Sequence, residues 1–272
     1  MIQRIVSSLI MLPLFALVFI GGRALLLACL FIGVAGMREF FHSFEKAAAQ
    51  AENRGARPSH AIACTAAAGL YCIDLLARDR SALYMLWFFL TILLSFLYLL
   101  GSDRRRIEDG MVTLTGIFYI CFFSYHVSLV EQLPEHGRTA VWLVFLTAFG
   151  SDIMAFFTGA VLGRHKLCPR ISPKKTVEGA VGGFVGSILF CGAFGSLFAP
   201  ALLLHCLIMG AGGGVVAQLG DLTASVFKRG LGIKDYGVLI PGHGGILDRF
   251  DSVLFTAPFI YYYTVLIIPV TI

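Results

Sequence analysis

Several polar residues near the end of the chain have types and spacings that suit phosphate and metal chemistry. On one continuing helix, Asp221, Ser225 and Lys228 would stand at positions i, i+4 and i+7 and share a face. Asp248 and Asp251 are three residues apart, so they would share a face at the first turn of the next helix, where the dipole favours anions. A carboxylate, a hydroxyl and an ammonium would therefore converge on one helix, and a pair of carboxylates would share a face of the next.

The segment between these two helices, residues 230–245, contains six glycines and one proline. This composition predicts a tight loop that folds back, so that the two helix ends meet. Carboxylates gathered there would suit Mg²⁺, which takes one or two carboxylates together with substrate phosphates. The alternative is structural, because the same aspartates could pair with the neighbouring Lys228, Arg229 and Arg249 only to offset buried charge.

Two further polar features lie outside this stretch. Asp152 stands within an apolar run, and because a charge at membrane depth is costly, such a residue is a candidate for function. The segment 163–179 is rich in Lys and Arg, and its Lys175–Thr176 pair resembles part of a phosphate loop. The GxxxxGK(S/T) spacing is missing, which excludes a Walker site. Two interpretations of the basic residues remain. They could contact phosphate or anionic lipid, or their charge could reflect membrane topology alone.

The elements that position these residues are predicted to be membrane helices. The chain has 272 residues, of which 58% are hydrophobic and 14% charged, whereas a soluble domain has about 25% charged residues. A spanning helix takes roughly 20 apolar residues, so the runs predict an all-α, polytopic integral membrane protein with about nine transmembrane helices. The runs cover 5–21, 24–37, 60–77, 82–100, 110–130, 139–162, 178–199, 201–220 and 252–270.

We expect one integrated membrane domain with two parts. Residues 1–138 would form about five transmembrane helices, and residues 139–272 would form a catalytic region of about four. The first residues imitate a lipoprotein signal, because Arg4 precedes an apolar run and a cleavage-like box ends at Cys29. The residues after Cys29 remain apolar, which favours a transmembrane hairpin instead.

The basic residues are distributed unevenly between the two sides of the nine-helix arrangement. Seventeen of the 21 Lys and Arg residues fall on the side of the N-terminus, and the opposite side receives only Arg23, Arg78, Arg80 and Arg138. Because cytoplasmic loops carry the positive excess, we expect the N-terminus and both polar segments to face the cytoplasm. The net charge of +5 thus reflects orientation and a phosphate-binding surface, and nothing in it indicates a nucleic-acid partner.

Small residues are expected to serve helix packing. Glycines between 179 and 186 recur four residues apart, which is typical of close helix contacts. The glycines between 210 and 214 allow two interpretations, either close packing or a helix that opens beside a site. The seven cysteines form no CxxC pair and stand mostly in apolar runs, which predicts small core residues, not ligands or disulfides.

The longest motif of fixed polar positions covers 27 residues, 225–251. It reads Ser225-x-Phe227-Lys228-Arg229-x4-Lys234-Asp235-x-Gly237-x2-Ile240-Pro241-x-His243-Gly244-Gly245-Ile246-x-Asp248-Arg249-Phe250-Asp251. This pattern resembles the signature of phosphatidate cytidylyltransferases at every specified position. The segments 172–179 and 150–156 are also similar to that family's, while about the first 140 residues contribute hydropathy alone.

The resemblance implies a multi-helix membrane enzyme that uses Mg²⁺ to convert CTP and phosphatidic acid into CDP-diacylglycerol and pyrophosphate. By the same resemblance, Asp221 and Asp248 would hold the metal, with Asp152 or Asp251 in support. The residues expected to act on substrate phosphates, or beside them, are Lys175, Ser225, Lys228 and Arg229.

The glycine loop has its own expected roles. His243 has two open interpretations, a donor to a phosphate or an ordinary loop residue. Gly244 and Gly245 would let backbone N–H groups approach the triphosphate. We also expect contact with membrane lipid and a bacterial inner (plasma) membrane as the location, with the site on the cytoplasmic face that the charge distribution indicates. A second metal or monovalent cation, a homodimer and the acyl-chain preference are left open.

Other kinds of membrane protein fit the sequence less well. A transporter or ion channel would also hold intramembrane carboxylates, but the N-terminal half lacks a corresponding interrupted helix. A CTP-using lipid kinase, such as a polyprenol or phytol kinase, would release CDP instead of pyrophosphate. A CDP-alcohol phosphotransferase would carry a DG-x2-AR motif, which does not occur in this sequence.

Overall fold

The computed structural model describes residues 16–50, 55–237 and 244–271, which are mostly helical. The helices are α1 (Gly22–Gln50), α2 (His60–Ala77), α3 (Ser81–Leu100), α4 (Ile107–Thr115), α5 (Phe123–Glu131), α6 (Gly137–Leu162), α7 (Val177–Phe198), α8 (Leu203–Gly230), α9 (Leu247–Leu266) and α10 (Ile268–Thr271). A π-helical segment, Gly116–Phe122, joins α4 to α5, and a 3-10 turn, Pro200–Leu202, precedes α8. Two short strands, β1 (Lys166–Cys168) and β2 (Ser172–Thr176), form an antiparallel hairpin between α6 and α7.

Seven helical stretches within the described residues are long and apolar enough to cross a membrane. They are Gly22–Gln50, His60–Ala77, Ser81–Leu100, Ile107–Glu131, Gly137–Leu162, Val177–Phe198 and Pro200–Gly230. These stretches match the second to the eighth predicted runs, and the prediction of an all-α, polytopic integral membrane protein is confirmed. The count of nine is not confirmed, because the first run lies mostly outside the described residues and the ninth forms α9, which is not among the seven.

Two helices extend further than the apolar runs predicted. The second run ended at 37, but α1 continues to Gln50 because Phe40 and Phe41 are buried and hold its second half in the core. The eighth run ended at 220, but α8 continues to Gly230. Its last turn carries Lys228 and Arg229. Basic residues at this end stabilise a helix, because the C-terminal end of the helix dipole is negative.

Helix α3 has a narrow buried stripe and a wide exposed apolar surface. Its buried residues are Trp87, Thr91 and Ser95, which form one stripe four residues apart. Large apolar side chains on its other faces, such as Phe89 and Phe96, are exposed. Lipid is as apolar as these side chains, so such exposure is typical of a spanning helix.

The first of two compact units contains Arg23–Tyr125 and Gly230–Arg249. Aromatic side chains form much of its core, and Tyr71 meets Tyr125 edge to face with ring centroids 5.3 Å apart. The Tyr125 hydroxyl also donates to Asp74 Oδ1 at 2.6 Å. Arg78 Nη2 lies 3.3 Å from Asp74 Oδ2, so this buried carboxylate is both paired and hydrogen-bonded.

The second unit contains Val18–Gly22, His126–Arg229 and Phe250–Ile272. Within it, α6 and α7 pack so closely that a Cβ at Gly183 would lie 2.8 Å from the Ser151 carbonyl oxygen. The predicted close packing between 179 and 186 is therefore confirmed. Helix α8 continues unbroken through 210–214, and a Cβ at Gly210 would lie 2.9 Å from the Ser187 carbonyl oxygen. Close packing, and not an opened helix, is thus the correct interpretation of these glycines.

Both units contain residues from each side of position 138. The predicted division of the chain there, into an N-terminal part and a catalytic part, stays a prediction. The cysteines at 29, 121, 191 and 206 are buried, as predicted for small core residues, whereas Cys64 and Cys72 are exposed.

Candidate active site

The β-hairpin presents Lys175 just before the start of α7. Lys166 pairs with Thr176 and Cys168 with Ser172 across the two strands. Thr176 is the N-cap of α7, and its hydroxyl accepts a hydrogen bond from the Gly179 N–H at 3.1 Å. Strand alternation leaves Lys174 exposed and Lys175 partly buried.

Glu178 holds the other end of this hairpin. Its Oε2 accepts hydrogen bonds from the N–H groups of Arg164 at 3.1 Å and His165 at 3.2 Å. The imidazole of His165 lies closer still, with Nδ1 2.6 Å from Glu178 Oε1. The basic segment is therefore an ordered hairpin whose first strand is tied to the first turn of α7.

Lys175 forms an ion pair with Asp221 of α8. Its Nζ lies 2.6 Å from Asp221 Oδ2, and the two side chains are 26% and 31% exposed. Charges that are mostly removed from water interact more strongly than a surface pair. The structural alternative for Asp221 was a partner among Lys228 and Arg229, but the ion pair found in the structure joins it to the hairpin.

The predicted face of α8 is confirmed. The helix is continuous from Leu203 to Gly230, so Asp221, Ser225 and Lys228 share one side. Ser225 and Lys228 are only 7% and 8% exposed. A buried ammonium requires negative partners nearby. Lys228 has such a partner in Asp251, with which it interacts electrostatically.

Asp251, near the start of α9, is 6% exposed and interacts electrostatically with Asp221, Lys228 and Asp152. Its Oδ1 accepts a hydrogen bond from the Ser252 N–H at 2.9 Å. The second unit thus gathers three carboxylates and two ammonium groups. We call this set the aspartate–lysine cluster, and it consists of Asp152, Lys175, Asp221, Lys228 and Asp251.

Ser252 was not predicted to belong to the site. Its hydroxyl donates to Asp152 Oδ2 at 3.2 Å, which gives this carboxylate a fixed hydrogen-bond partner. Only its position next to Asp251 in the sequence could have suggested it. Arg229, a predicted phosphate contact, donates from Nε to the Ile171 carbonyl oxygen at 3.0 Å. It therefore ties the end of α8 to the turn of the hairpin, and its contact with phosphate stays a prediction.

We call residues 231–237 and 244–246, the described parts of the segment between α8 and α9, the signature loop. They belong to the first unit together with Asp248. Asp248 Oδ2 accepts hydrogen bonds from the N–H groups of Tyr236 at 2.8 Å and Gly245 at 3.0 Å. Gly232 and Gly244 have φ angles of +72° and +86°, where side chains are disfavoured.

These contacts bear on the predicted roles of the loop in binding the triphosphate. The Gly245 N–H already donates to Asp248, so a phosphate would have to compete with that carboxylate for it. The phosphate contact of Gly244 stays a prediction, and His243 lies outside the described residues.

Glu39 of α1 is a second residue that the sequence did not point to. Its Oε1 accepts from the Ile246 N–H and its Oε2 from the Leu247 N–H, each at 3.0 Å. The available signal was an acidic residue two positions after the apolar run 24–37, close to the depth at which charges are costly. Its partners are more than 200 positions away along the chain, so local sequence patterns could not identify them.

The predicted metal ligands fall into both units, with Asp248 in the first and Asp152, Asp221 and Asp251 in the second. Among the residues that the structure describes, no three or more His, Cys, Asp or Glu side chains are close enough together to hold a metal ion. A shared metal site therefore stays a prediction. The carboxylates of the aspartate–lysine cluster offer only oxygen donors, which is the donor type that Mg²⁺ prefers.

Comparison of the sequence with known proteins identifies its family. The model of the cytidylyltransferase family matches residues 2–267, so the chain belongs to that family. Membership makes the chain a nucleotidyltransferase.

Individual relatives carry a more specific name. A phosphatidate cytidylyltransferase of Synechocystis sp. is 36% identical over 298 residues, which cover 98% of each chain. That of Bacillus subtilis is 38% identical over 177 residues, 64% of this chain and 65% of the relative. That of Brucella abortus is 37% identical over 156 residues, 54% of each chain.

Proposed function

We propose that this chain is a phosphatidate cytidylyltransferase, which makes CDP-diacylglycerol and pyrophosphate from CTP and phosphatidic acid. The observation that carries the proposal is the partly buried aspartate–lysine cluster, in which Lys175 Nζ lies 2.6 Å from Asp221 Oδ2. Ammonium groups suit the many oxygens of a triphosphate and of a lipid phosphate. The likeness to the Synechocystis enzyme, which extends over 98% of the chain, supports the choice of substrates.

The reaction is a substitution at phosphorus. An oxygen of the phosphatidate phosphate forms a bond to the α-phosphorus of CTP. The bond from that phosphorus to the bridging oxygen breaks, and pyrophosphate leaves with the electron pair. The nucleophile is already ionised near neutral pH, so no strong general base is needed and positioning and charge neutralisation dominate. Lys175, Lys228 and Arg229 hold phosphate oxygens in this scheme.

We also propose that the reaction depends on Mg²⁺. In the second unit, one or two of the carboxylates of Asp152, Asp221 and Asp251 would hold it together with substrate phosphates, because these side chains offer the oxygen donors that Mg²⁺ takes. When bound, the ion neutralises charge on the triphosphate. Asp248 is also predicted to bind the metal, and Asp248→Asn tests this through the dependence of the rate on Mg²⁺ concentration.

For the membrane arrangement, we propose nine crossings, with the N-terminus and the two polar segments in the cytoplasm of a bacterial cell. The support is the distribution of basic residues, 17 on one side and four on the other. Single cysteines in a cysteine-free background, at Arg104 between α3 and α4 and at Asp79 between α2 and α3, test it. A membrane-impermeant maleimide added to intact spheroplasts should label the cysteine at 79 and not the one at 104. The reverse pattern would overturn the orientation.

The activity itself is tested with the purified protein, labelled CTP, phosphatidic acid and Mg²⁺. The expected products are a CDP-lipid and pyrophosphate, whereas a lipid kinase would release CDP. If the folded protein forms no CDP-lipid under these conditions, the proposed function is wrong.

A further inference from the structure

Glu39 connects the middle of α1 to the beginning of α9 within the first unit. Both of its carboxylate oxygens accept hydrogen bonds, Oε1 from Ile246 N–H and Oε2 from Leu247 N–H, each at 3.0 Å. The first N–H groups of a helix have no partner within the helix itself. The positive end of the helix dipole also favours a carboxylate at this position. Glu39 therefore fills the anion-binding end of α9 with a group from the protein.

Neighbours of Glu39 on α1 hold the opposite side of the signature loop. The Ser43 hydroxyl donates to the Tyr236 carbonyl oxygen at 3.3 Å, and the rings of Phe40 and Tyr236 have centroids 5.9 Å apart. Tyr236 is 5% exposed, and its N–H donates to Asp248 Oδ2 at 2.8 Å. Both described ends of the loop are thus hydrogen-bonded to α1. Asp248 also accepts a hydrogen bond from each end, from Tyr236 and from Gly245.

Two glycines of the loop leave the space that Glu39 occupies. A Cβ at Gly237 would lie 2.6 Å from Glu39 Oε1, and a Cβ at Gly245 would meet Glu39 Oε2 even more closely. Neither glycine has a positive φ angle, so backbone conformation does not explain their type. Close approach of the Glu39 carboxylate explains both.

We propose that Glu39 is a positioning residue for cytidylyl transfer. Its carboxylate fixes the signature loop and the first turn of α9, and through them the orientation of Asp248, without contact with substrate. The inference rests on the proposed function and deepens it, because it adds a residue from a distant part of the chain to the requirements of the site.

Glu39→Gln tests the proposal, with Glu45→Gln as its matched control. Glu45 lies on the same helix, but its Oε1 pairs with His60 Nε2 of α2 at 3.0 Å. Amide hydrogen exchange of the peptides that cover 244–249 should be faster in Glu39→Gln and unchanged in Glu45→Gln. Turnover should fall about 10- to 100-fold in Glu39→Gln, the range for losing hydrogen bonds to a charged group. Turnover of the control should stay within about two-fold.

A double substitution separates positioning from general stability. If Glu39 acts through Asp248, then Glu39→Gln combined with Asp248→Asn should lose no more single-turnover rate than Asp248→Asn alone. Multiplied losses would overturn the proposal. So would unchanged exchange in Glu39→Gln, or faster exchange with normal turnover.

Glu39→Asp provides a second variant in case Glu39→Gln does not fold. It keeps the charge on a shorter side chain, and both of its measurements should fall between the wild type and Glu39→Gln. A Glu39→Asp protein identical to the wild type in exchange and turnover would also contradict the proposal. If the wild type makes no CDP-lipid, the proposed function fails, while the exchange measurement still decides whether Glu39 holds the loop.

Discussion

Lys175 Nζ lies 2.6 Å from Asp221 Oδ2, and this ion pair joins the β-hairpin after α6 to the last third of α8. The hairpin is itself ordered by the Thr176 cap and by the contacts of Glu178. The ammonium of Lys175 therefore has a fixed position beside a carboxylate, with little freedom left to lose when a phosphate binds. Such preorganisation is what electrostatic stabilisation of phosphoryl transfer requires.

Lys175→Ala should lower turnover by about 10- to 100-fold, because it removes a charged hydrogen-bond donor and leaves Asp221 without its ion-pair partner. The neighbouring Lys174→Ala is the matched control, since Lys174 is exposed on the opposite side of the strand. Steady-state production of CDP-lipid by the two purified proteins measures the effect. Equal rates for the two variants would show that the Lys175 ammonium does not act in the reaction.

The face of α8 was predictable, whereas the partner of Asp221 was not. The 3.6-residue period of a helix suffices to align Asp221, Ser225 and Lys228 once the helix is known to continue. The pairing with Lys175 depends on how two separate elements pack, and neither periodicity nor motif spacing specifies that. The same holds for Glu39, whose hydrogen bonds at 3.0 Å are to backbone N–H groups. Backbone groups carry no residue type that a sequence pattern could reveal.

Asp221→Asn and Asp248→Asn should each reduce turnover by about 100-fold or more, because each removes a carboxylate that is predicted to bind the metal, and the metal would neutralise charge on the triphosphate. Asp103→Asn, in the exposed turn between α3 and α4, is the control for loss of one acidic residue. The dependence of rate on Mg²⁺ concentration should be measured as well. Replacing a residue that binds the metal should raise the Mg²⁺ concentration at which the rate is half-maximal. Near-normal turnover in either folded variant would remove that residue from the proposed metal site.

Gly183→Ala should destabilise the protein by about 1–3 kcal/mol, the usual cost of forcing extra atoms into a packed core. The new Cβ would lie 2.8 Å from the Ser151 carbonyl oxygen and 3.0 Å from the Ala155 Cβ, so α6 and α7 would have to separate. Gly230→Ala is the control, because a Cβ there meets nothing within 4 Å. Thermal unfolding in detergent should give a lower midpoint for Gly183→Ala than for Gly230→Ala. Equal midpoints would mean that the two helices can adjust without cost.

Ser252→Ala tests whether Asp152 belongs to the working site. The Ser252 hydroxyl donates to Asp152 Oδ2 at 3.2 Å, and Asp152 in turn interacts electrostatically with Asp251. Removing the donor takes away one of the interactions that orient the Asp152 carboxylate, so turnover should fall about 10-fold while folding is retained. Ser196→Ala on α7 is the control, because that exposed hydroxyl only donates to the Ala193 carbonyl oxygen of its own helix. A rate for Ser252→Ala equal to that of the control would show that the hydrogen bond from Ser252 to Asp152 does not contribute to turnover.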